Sequence, residues 1–304
     1  MAKVIFVQPF TVNAELAEKA DGRVVVLDVA FNSGRGSQEE PQQQFASTTG
    51  AFINVLGDRL ALWLDHHPHR AWSDYENDPR FLLYSRDVAP ACPPLITPEI
   101  VRSVREVDTI VCHGDFDGVF SAVKWLLDGI EAYPGADADS IAADSRIGTL
   151  SLDGQMYENA MKSNLRDDSL RYDVVTVNVA ANEDYEDAMT RIHQAAHAYE
   201  AVQAETQRLA SQFSVSGKVA WLDTTGSETP YDLTQLLLAG QRIAQVALIR
   251  KESLDQTHGT HQITIAGPAT WDFVALFGLS GGMPNRINLP DQDIEPLIQA
   301  INEA

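Results

Sequence analysis

The fold is decided by the stretch Val107-Asp-Thr-Ile-Val-Cys-His113-Gly-Asp115-Phe-Asp117-Gly118 and by the apolar residues that follow it as far as Leu127. The run before His113 predicts a buried strand, and the run after Gly118 predicts a helix. Alternate residues of an extended segment point the same way. We therefore expect His113, Asp115 and Asp117 to lie together at the carboxyl end of the strand.

Two carboxylates and an imidazole at such short spacing predict a metal site. These groups would repel one another or change their protonation unless a cation lay among them. Hard oxygen ligands beside a nitrogen ligand suit manganese, magnesium or zinc. The alternative is a polar loop between strand and helix, in which one aspartate caps the helix.

Two further apolar strands end in residues of the same kind. Leu60 to Leu64 leads into Asp65-His66-His67-Pro68-His69, and Arg23 to Leu27 leads into Asp28. Open parallel α/β sheets bind ligands in the crevice outside the carboxyl ends of their strands. Three strand ends of this type favour one shared site, although an aspartate after a strand, taken alone, is also typical of a turn or a helix cap.

The first half of the chain alternates apolar strands with amphipathic helices. This alternation predicts an α/β fold with a mostly parallel sheet and helices on both faces. The strand candidates are Lys3 to Val7, Arg23 to Leu27, Leu60 to Leu64, Phe81 to Tyr84 and Thr109 to Cys112. The helix candidates are Asn13 to Ala20, Thr48 to Gly57, Pro98 to Val107 and Val119 to Leu127. The polar segment Asn32 to Gln44 is expected to be an exposed loop.

The second half predicts a smaller α/β domain. After a strand at Tyr172 to Val179, helical periodicity extends over about residues 183–213. Further strands are expected at Gly217 to Leu222, Arg242 to Arg250 and Gln262 to Ala266. We expect a metal-binding catalytic domain over residues 1–195 and a substrate-binding domain over 196–304, joined by the long helix.

Composition limits the classes of partner. A formal net charge of −21 disfavours long nucleic acid and anionic membranes, but a bound divalent cation can reverse the local sign for a phosphate substrate. Cys92 and Cys112 are too few for a disulfide framework, which favours a reducing cytoplasm. No signal-peptide pattern and no apolar run of about 20 residues is evident, so we expect a soluble cytoplasmic protein.

Asp65-His66-His67 together with His113-Gly-Asp-Phe-Asp117-Gly118 resembles the DHH phosphoesterase superfamily. That superfamily includes single-strand exonucleases, oligonucleotide and bisphosphate phosphatases, cyclic dinucleotide phosphodiesterases and a manganese pyrophosphatase. The resemblance covers about residues 20 to 150. In the family the His-x-Asp-x-Asp motif comes first, whereas here it comes second. The order implies a circular permutation, unless one of the two matches is accidental.

The resemblance implies a dinuclear centre with two divalent cations. Manganese is favoured, with magnesium and zinc as alternatives. Carried over residue by residue, His113 and Asp115 would hold one cation, and His66 and Asp117 the other. Asp28 matches the family's lone strand-end aspartate and would bridge both.

The remaining roles are carried over more loosely. Asp144, which is expected to follow a short strand that begins at Ser140, is chosen as the sixth ligand, with Asp223 as the alternative. His67 would contact the phosphate or support a metal ligand, and Asp65 would orient its motif through hydrogen bonds. Arg146 would neutralise charge on the phosphoryl group.

A glycine-rich segment near the end of the chain is the candidate for substrate binding. Gly281, Gly282 and Arg286 resemble the substrate-binding loop of the superfamily's C-terminal companion domain. Glycines let backbone amides approach a phosphate, which an arginine can bind bidentately. The family's usual histidine is missing, with Met283 and Pro284 in its vicinity, so a plain turn is the alternative.

The expected function is therefore a phosphoester or phosphoanhydride hydrolase. Its partner would be a small phosphate compound, a nucleotide or a short oligonucleotide; whether the chain forms a homodimer stays open. Two alternatives remain: a non-catalytic, nucleotide-binding regulatory protein of the same fold, and an α/β protein that a metal merely stabilises.

Overall fold

The computed structural model describes residues 2–8, 11–31, 41–86, 88–104, 106–145, 148–164, 168–179, 184–252, 261–268, 270–279 and 285–304. The chain divides into two compact units, Met1–Ala198 and Tyr199–Ala304. None of the helices within the described ranges combines the length and the apolarity that a membrane crossing requires.

The first unit contains a five-stranded sheet, and every pairing in it is parallel. The strands are β1 (Lys3–Val7), β2 (Val24–Leu27), β3 (Leu60–Asp65), β4 (Phe81–Leu83) and β5 (Thr109–His113). They lie in the order β1-β5-β2-β3-β4. The predicted parallel α/β sheet is confirmed.

Helices occupy most of the remaining described residues of the first unit. They are α1 (Ala14–Lys19), α2 (Pro41–Ser47), α3 (Thr49–Leu56), α4 (Pro98–Ser103), α5 (Phe116–Leu126), α6 (Ala136–Ser145), α7 (Leu152–Ser163) and α8 (Asp168–Val179). Helix α9 (Tyr185–Ala210) begins in the first unit and ends in the second.

The sheet is covered on both faces because successive side chains of a strand point to opposite sides. Val24 and Val26 of β2 pack into a core with Phe52 of α3. Val25 of the same strand packs into a second core with Trp125 of α5. A central strand that is buried on both faces therefore reads as a continuous apolar run, as the Val-Val-Val-Leu of β2 does.

The second unit contains a smaller mixed sheet in the order β10-β9-β8-β7-β6. Its strands are β6 (Ser214–Ser216), β7 (Val219–Asp223), β8 (Val246–Glu252), β9 (His261–Ala266) and β10 (Arg286–Pro290). Only the β7–β8 pair is parallel among these pairings. The helices are α10 (Leu233–Ile243), α11 (Phe273–Leu276) and α12 (Ile294–Glu303). The predicted second, smaller α/β sheet is confirmed.

Two predicted strands are wrong. Tyr172 to Val179 belongs to helix α8, whose Val174 and Val175 pack into a core with Phe120 of α5. Its valines favour a strand when the segment is read alone, but burial against helices outweighs that weak preference. The short strand expected before Asp144 is also helical, because it lies within α6.

Several boundaries also differ. The predicted strand from Arg242 begins only at Val246, since Arg242 belongs to the last turn of α10. The helix predicted for Pro98 to Val107 ends at Ser103. Of the expected loop at 32–44, residues 32–40 lie outside the described residues, and residues 41–44 are helical.

Candidate metal centre

The candidate metal centre lies at the carboxyl ends of three neighbouring strands. Asp28 follows β2, His66 and His67 follow β3, and His113 ends β5. Because the sheet order places β2 between β5 and β3, Asp28 lies between the two histidine-bearing strand ends. Asp28 has a left-handed backbone with φ of 57°, and its N–H donates to the Leu64 carbonyl at 2.9 Å.

The two oxygens of Asp28 face different histidines. Oδ1 lies 3.0 Å from His66 Nε2 and 3.8 Å from His67 Nδ1. Oδ2 lies 3.8 Å from His113 Nδ1. The Asp28 carboxylate is completely buried, so its oxygens have little contact with water.

Three sets of side chains among the described residues could each hold a cation. The His113 group consists of Asp28, His113 and Asp115, the His66 group consists of His66, Asp117 and Asp144, and a third set combines Asp28 with His66 and His67. Within each group, one ligand atom from every residue lies within 4.8 Å of the others. The structure thus brings together the six residues predicted as metal ligands, although their roles as ligands stay predictions.

The loop between β5 and α5 sets the spacing of the His113 group. Asp115 caps α5 by accepting a hydrogen bond from the Gly118 N–H at 3.4 Å. A Cβ atom on Gly118 would lie only 2.4 Å from the His113 carbonyl oxygen. Glycine is therefore required for the tight turn that brings Asp115 to 2.8 Å from His113 Nδ1.

Several buried atoms of the cluster have no hydrogen-bond partner among the described residues. They are both carboxylate oxygens of Asp28, His66 Nε2, His113 Nδ1 and Asp144 Oδ2. These atoms lie 3.0 to 3.9 Å from one another without forming hydrogen bonds, and Asp144 Oδ2 also lies 2.8 Å from Arg86 Nη1. Buried polar atoms are nearly always hydrogen-bonded. Oxygen and nitrogen atoms that converge in this way fit a divalent cation.

The carboxylates of the cluster hold protons more tightly than usual. Burial raises the pKa of Asp28, and repulsion from Asp117 raises it further. Burial, with repulsion from Asp115, raises the pKa of Asp117 to about 6. Asp115 differs, because attraction to His113 outweighs desolvation and lowers its pKa to about 2.

The imidazoles also hold protons. Burial lowers the pKa of His66, but attraction to Asp117 and Asp28 outweighs it and raises the pKa to about 11. The pKa of His113 is raised because attraction to Asp115 outweighs desolvation. Acidic groups are therefore in excess within the cluster. In the absence of a metal ion, bound protons offset part of this negative charge. A divalent cation would replace such protons on binding.

Contacts outside the cluster orient the candidate ligands. His66 Nδ1 lies 2.9 Å from the Ala89 carbonyl oxygen, to which it donates, so that Nε2 faces the carboxylates. The Cys92 N–H donates to Asp117 at 3.5 Å. Arg171 is buried, and its Nε donates to the Gly114 carbonyl between His113 and Asp115. No motif in the sequence indicated these contacts.

Arg86 is the cation beside the cluster. Its Nη1 lies 2.8 Å from Asp144 Oδ2, and its Nη2 lies 2.8 Å from His67 Nε2. His67 Nδ1 in turn lies 2.8 Å from the buried Asp65 carboxylate, as expected for an orienting aspartate. Arg146, which was predicted for this position, lies outside the described residues.

The remaining predicted residues belong to the second unit. Asp223, the alternative sixth ligand, ends β7 and lies 3.2 Å from Arg250. Arg286 begins β10 and is exposed, whereas Gly281 and Gly282 lie outside the described residues. Substrate binding by this segment stays a prediction.

No protein-family model matches the chain, and no curated protein matches it. Among solved structures, it is similar to the pGpG-specific phosphodiesterase PggH from Vibrio cholerae, with 11% identity over 93% of this chain and 98% of that one and a TM-score of 0.39. An uncharacterized protein from Helicobacter pylori G27 shows 10% identity over 95% and 86%, with a TM-score of 0.26. A putative family II inorganic pyrophosphatase from Methanococcus jannaschii shows 11% identity over 93% and 81%, with a TM-score of 0.22.

Proposed function

We propose that this chain is a metal-dependent phosphoesterase that hydrolyses a nucleotide, a short oligonucleotide or another small phosphate ester or anhydride. The observation that carries the proposal is the geometry of Asp28. One of its oxygens lies 3.0 Å from His66 and the other 3.8 Å from His113, with carboxylates beside both imidazoles. This is the arrangement that two neighbouring divalent cations with a shared carboxylate need.

Each side chain has a distinct part in this proposal. His113 and Asp115 would hold one cation, and His66 and Asp117 the other. Asp28 would bridge the pair, and Asp144 would complete the set. We propose manganese as the metal, with magnesium and zinc as the competing choices.

Two divalent cations would polarise the phosphoryl oxygens and acidify an attacking water near neutral pH. The chain itself contributes rigidity and exclusion of solvent. Ala89 and Cys92 fix the ring of His66 and the carboxylate of Asp117 through backbone contacts. Asp28 and His66 are completely buried, so water does not compete for their ligand atoms. Preorganised groups of this kind need little rearrangement during the reaction.

The other expectations from the sequence stay proposals. They are the permuted motif order, the metal-binding domain over residues 1–195, the substrate-binding role of residues 196–304 and the cytoplasmic location. Formation of a homodimer is left open.

The proposal is tested by a manganese-supplemented hydrolysis screen against short oligonucleotides, linear and cyclic dinucleotides, adenosine bisphosphate and pyrophosphate. We expect one of these classes to be cleaved, and we expect Asp115→Ala and His66→Ala to lower kcat/KM by more than about 100-fold. The control is Asp21→Asn, since Asp21 is an exposed carboxylate paired with Lys3. Wild-type rates in either ligand variant would refute the proposal, and tight nucleotide binding without turnover would favour a regulatory protein.

A further inference from the structure

Four side chains form a hydrogen-bonded and ionic chain beside the candidate metal centre. Asp65 Oδ1 contacts His67 Nδ1 at 2.8 Å, and His67 Nε2 contacts Arg86 Nη2 at 2.8 Å. Arg86 Nη1 then lies 2.8 Å from Asp144 Oδ2. This series of contacts thus connects the buried carboxylate of Asp65 to Asp144, a candidate metal ligand.

The contact with Arg86 decides which ring nitrogen of His67 accepts a hydrogen bond. A guanidinium is only a donor, so His67 Nε2 must accept the hydrogen bond from Arg86. The ring proton then resides on Nδ1, which donates to Asp65. In this arrangement His67 Nε2 has no proton to offer to a phosphate. The family resemblance left two roles open for His67, contact with the phosphate or support of a metal ligand.

Arg86 lies where an anionic substrate would meet the protein. Its side chain is 44% exposed, whereas those of Asp144 and His67 are 12% and 24% exposed. The guanidinium therefore extends from the ligand cluster toward solvent. It carries a positive charge at the edge of an acidic cluster, in a chain whose formal net charge is −21.

We propose that Arg86 binds the phosphoryl group of the substrate, and that His67 and Asp65 position its guanidinium. This inference rests on the proposed phosphoesterase function and assigns the group that recognises the phosphate. The planar guanidinium can bind two non-bridging oxygens at once, which a lysine cannot do with the same geometry. Asp144 Oδ2 can pair either with this guanidinium or with a divalent metal ion. Metal binding at Asp144 would therefore release Arg86 to turn toward the phosphate.

The first test measures catalysis in Arg86→Met, Arg86→Lys and Arg86→Ala. With manganese saturating, we expect Arg86→Met to lower kcat/KM about 100-fold, as when one donor to a reacting oxyanion is removed. Arg86→Lys should retain an intermediate rate, and added methylguanidinium should restore activity to Arg86→Ala. The matched control is Arg102→Met, because Arg102 is an exposed arginine that pairs with Glu99 three residues away.

The second test measures orthophosphate affinity of the manganese-loaded protein by calorimetry, and it does not depend on turnover. We expect Arg86→Met to bind phosphate about tenfold more weakly or worse, with a manganese affinity that does not fall and an unchanged melting temperature. Should Arg86→Met not fold, Arg86→Gln takes its place.

The outcomes separate this inference from the proposed function. If the wild-type protein cleaves nothing but binds orthophosphate through Arg86, the enzyme proposal fails and the inference stands. Equal phosphate affinity in wild type and variant overturns the inference. Absence of phosphate binding by the manganese-loaded wild type also overturns it. So does a loss of manganese affinity together with phosphate affinity, because Arg86 would then act only through Asp144.

Discussion

Two clusters of acidic and imidazole side chains in this protein illustrate what distinguishes a candidate metal site from an ordinary charged surface. The candidate metal centre collects its residues at the ends of β5, β2 and β3. A second cluster, the Arg250 cluster, consists of Arg250, Asp223, Asp291 and His261 in the second unit. Both contain aspartate and histidine near strand ends.

Arg250 pairs with both aspartates of its cluster. Arg250 contacts both oxygens of Asp291 at 2.7 Å, and Asp223 lies 3.2 Å away. The side chains of Arg250 and Asp291 are each 31% exposed, so water also solvates their charges. The pKa of Asp291 is lowered by its hydrogen bonds to Arg250.

The candidate metal centre differs in both respects. Asp28 and His66 are completely buried, and Arg86 contacts Asp144 and His67 rather than Asp28. The pKa of Asp28 is raised rather than lowered. Residue type is therefore similar in the two clusters, while burial and the supply of internal cations are different. Those two properties make the first cluster a candidate for divalent cations.

The largest expected contrast is in metal affinity. We expect Asp28→Asn to weaken manganese binding by more than about 100-fold, because an amide cannot replace a shared carboxylate. This loss should exceed the loss caused by removing a residue that only orients a metal ligand. Asp223→Asn should leave manganese affinity unchanged. Isothermal titration calorimetry on the metal-free protein measures both. Equal losses in the two variants would remove the distinction between the clusters.

Metal removal should affect the two units differently. A cation at 100 times its Kd stabilises the folded state by about 2.7 kcal/mol. We therefore expect EDTA to lower the Tm of the first unit by about 5 °C or more. Hydrogen exchange read separately over β2 and β8 should show lost protection in β2 alone. Equal loss of protection in β8 would contradict this expectation.

The smallest expected contrast is in pH dependence without metal. The pKa of Asp117 is raised from 3.8 to about 6 in the folded protein. A raised pKa means that the folded state binds more protons, so its contribution to stability is complete below about pH 4 and is lost as pH rises through 6. The lowered pKa of Asp291 has the opposite sign.

Thermal melts of the metal-free protein at pH 5 and pH 7 test this sign. We expect wild type to lose stability between these values and Asp117→Asn to lose less. Saturating manganese should abolish or reverse the trend, because the cation replaces the protons. A trend of equal size in Asp117→Asn would assign the effect to other groups.

Local patterns were sufficient to predict much of the fold and most of the candidate ligands. The β strands of the first sheet are short apolar runs that end in polar residues, and such runs can be recognised without tertiary contacts. Helix α8 could not be recognised, because Val174 and Val175 favour a strand locally and only their burial against α5 makes a helix favourable. The contacts of Arg86 could not be recognised from the sequence either, since its partners His67 and Asp144 lie 19 and 58 residues away in the chain.

The sequence by itself determined which side chains stand at the strand ends, because strand periodicity and the turn at Gly118 are local properties. The tertiary structure decided which of those ends are neighbours. The order β5-β2-β3 places Asp28 between His113 and His66, and this order follows from long-range packing of the apolar faces rather than from any short segment. It also decided that Arg86 reaches Asp144 but not Asp28, whereas Arg250 reaches both Asp291 and Asp223.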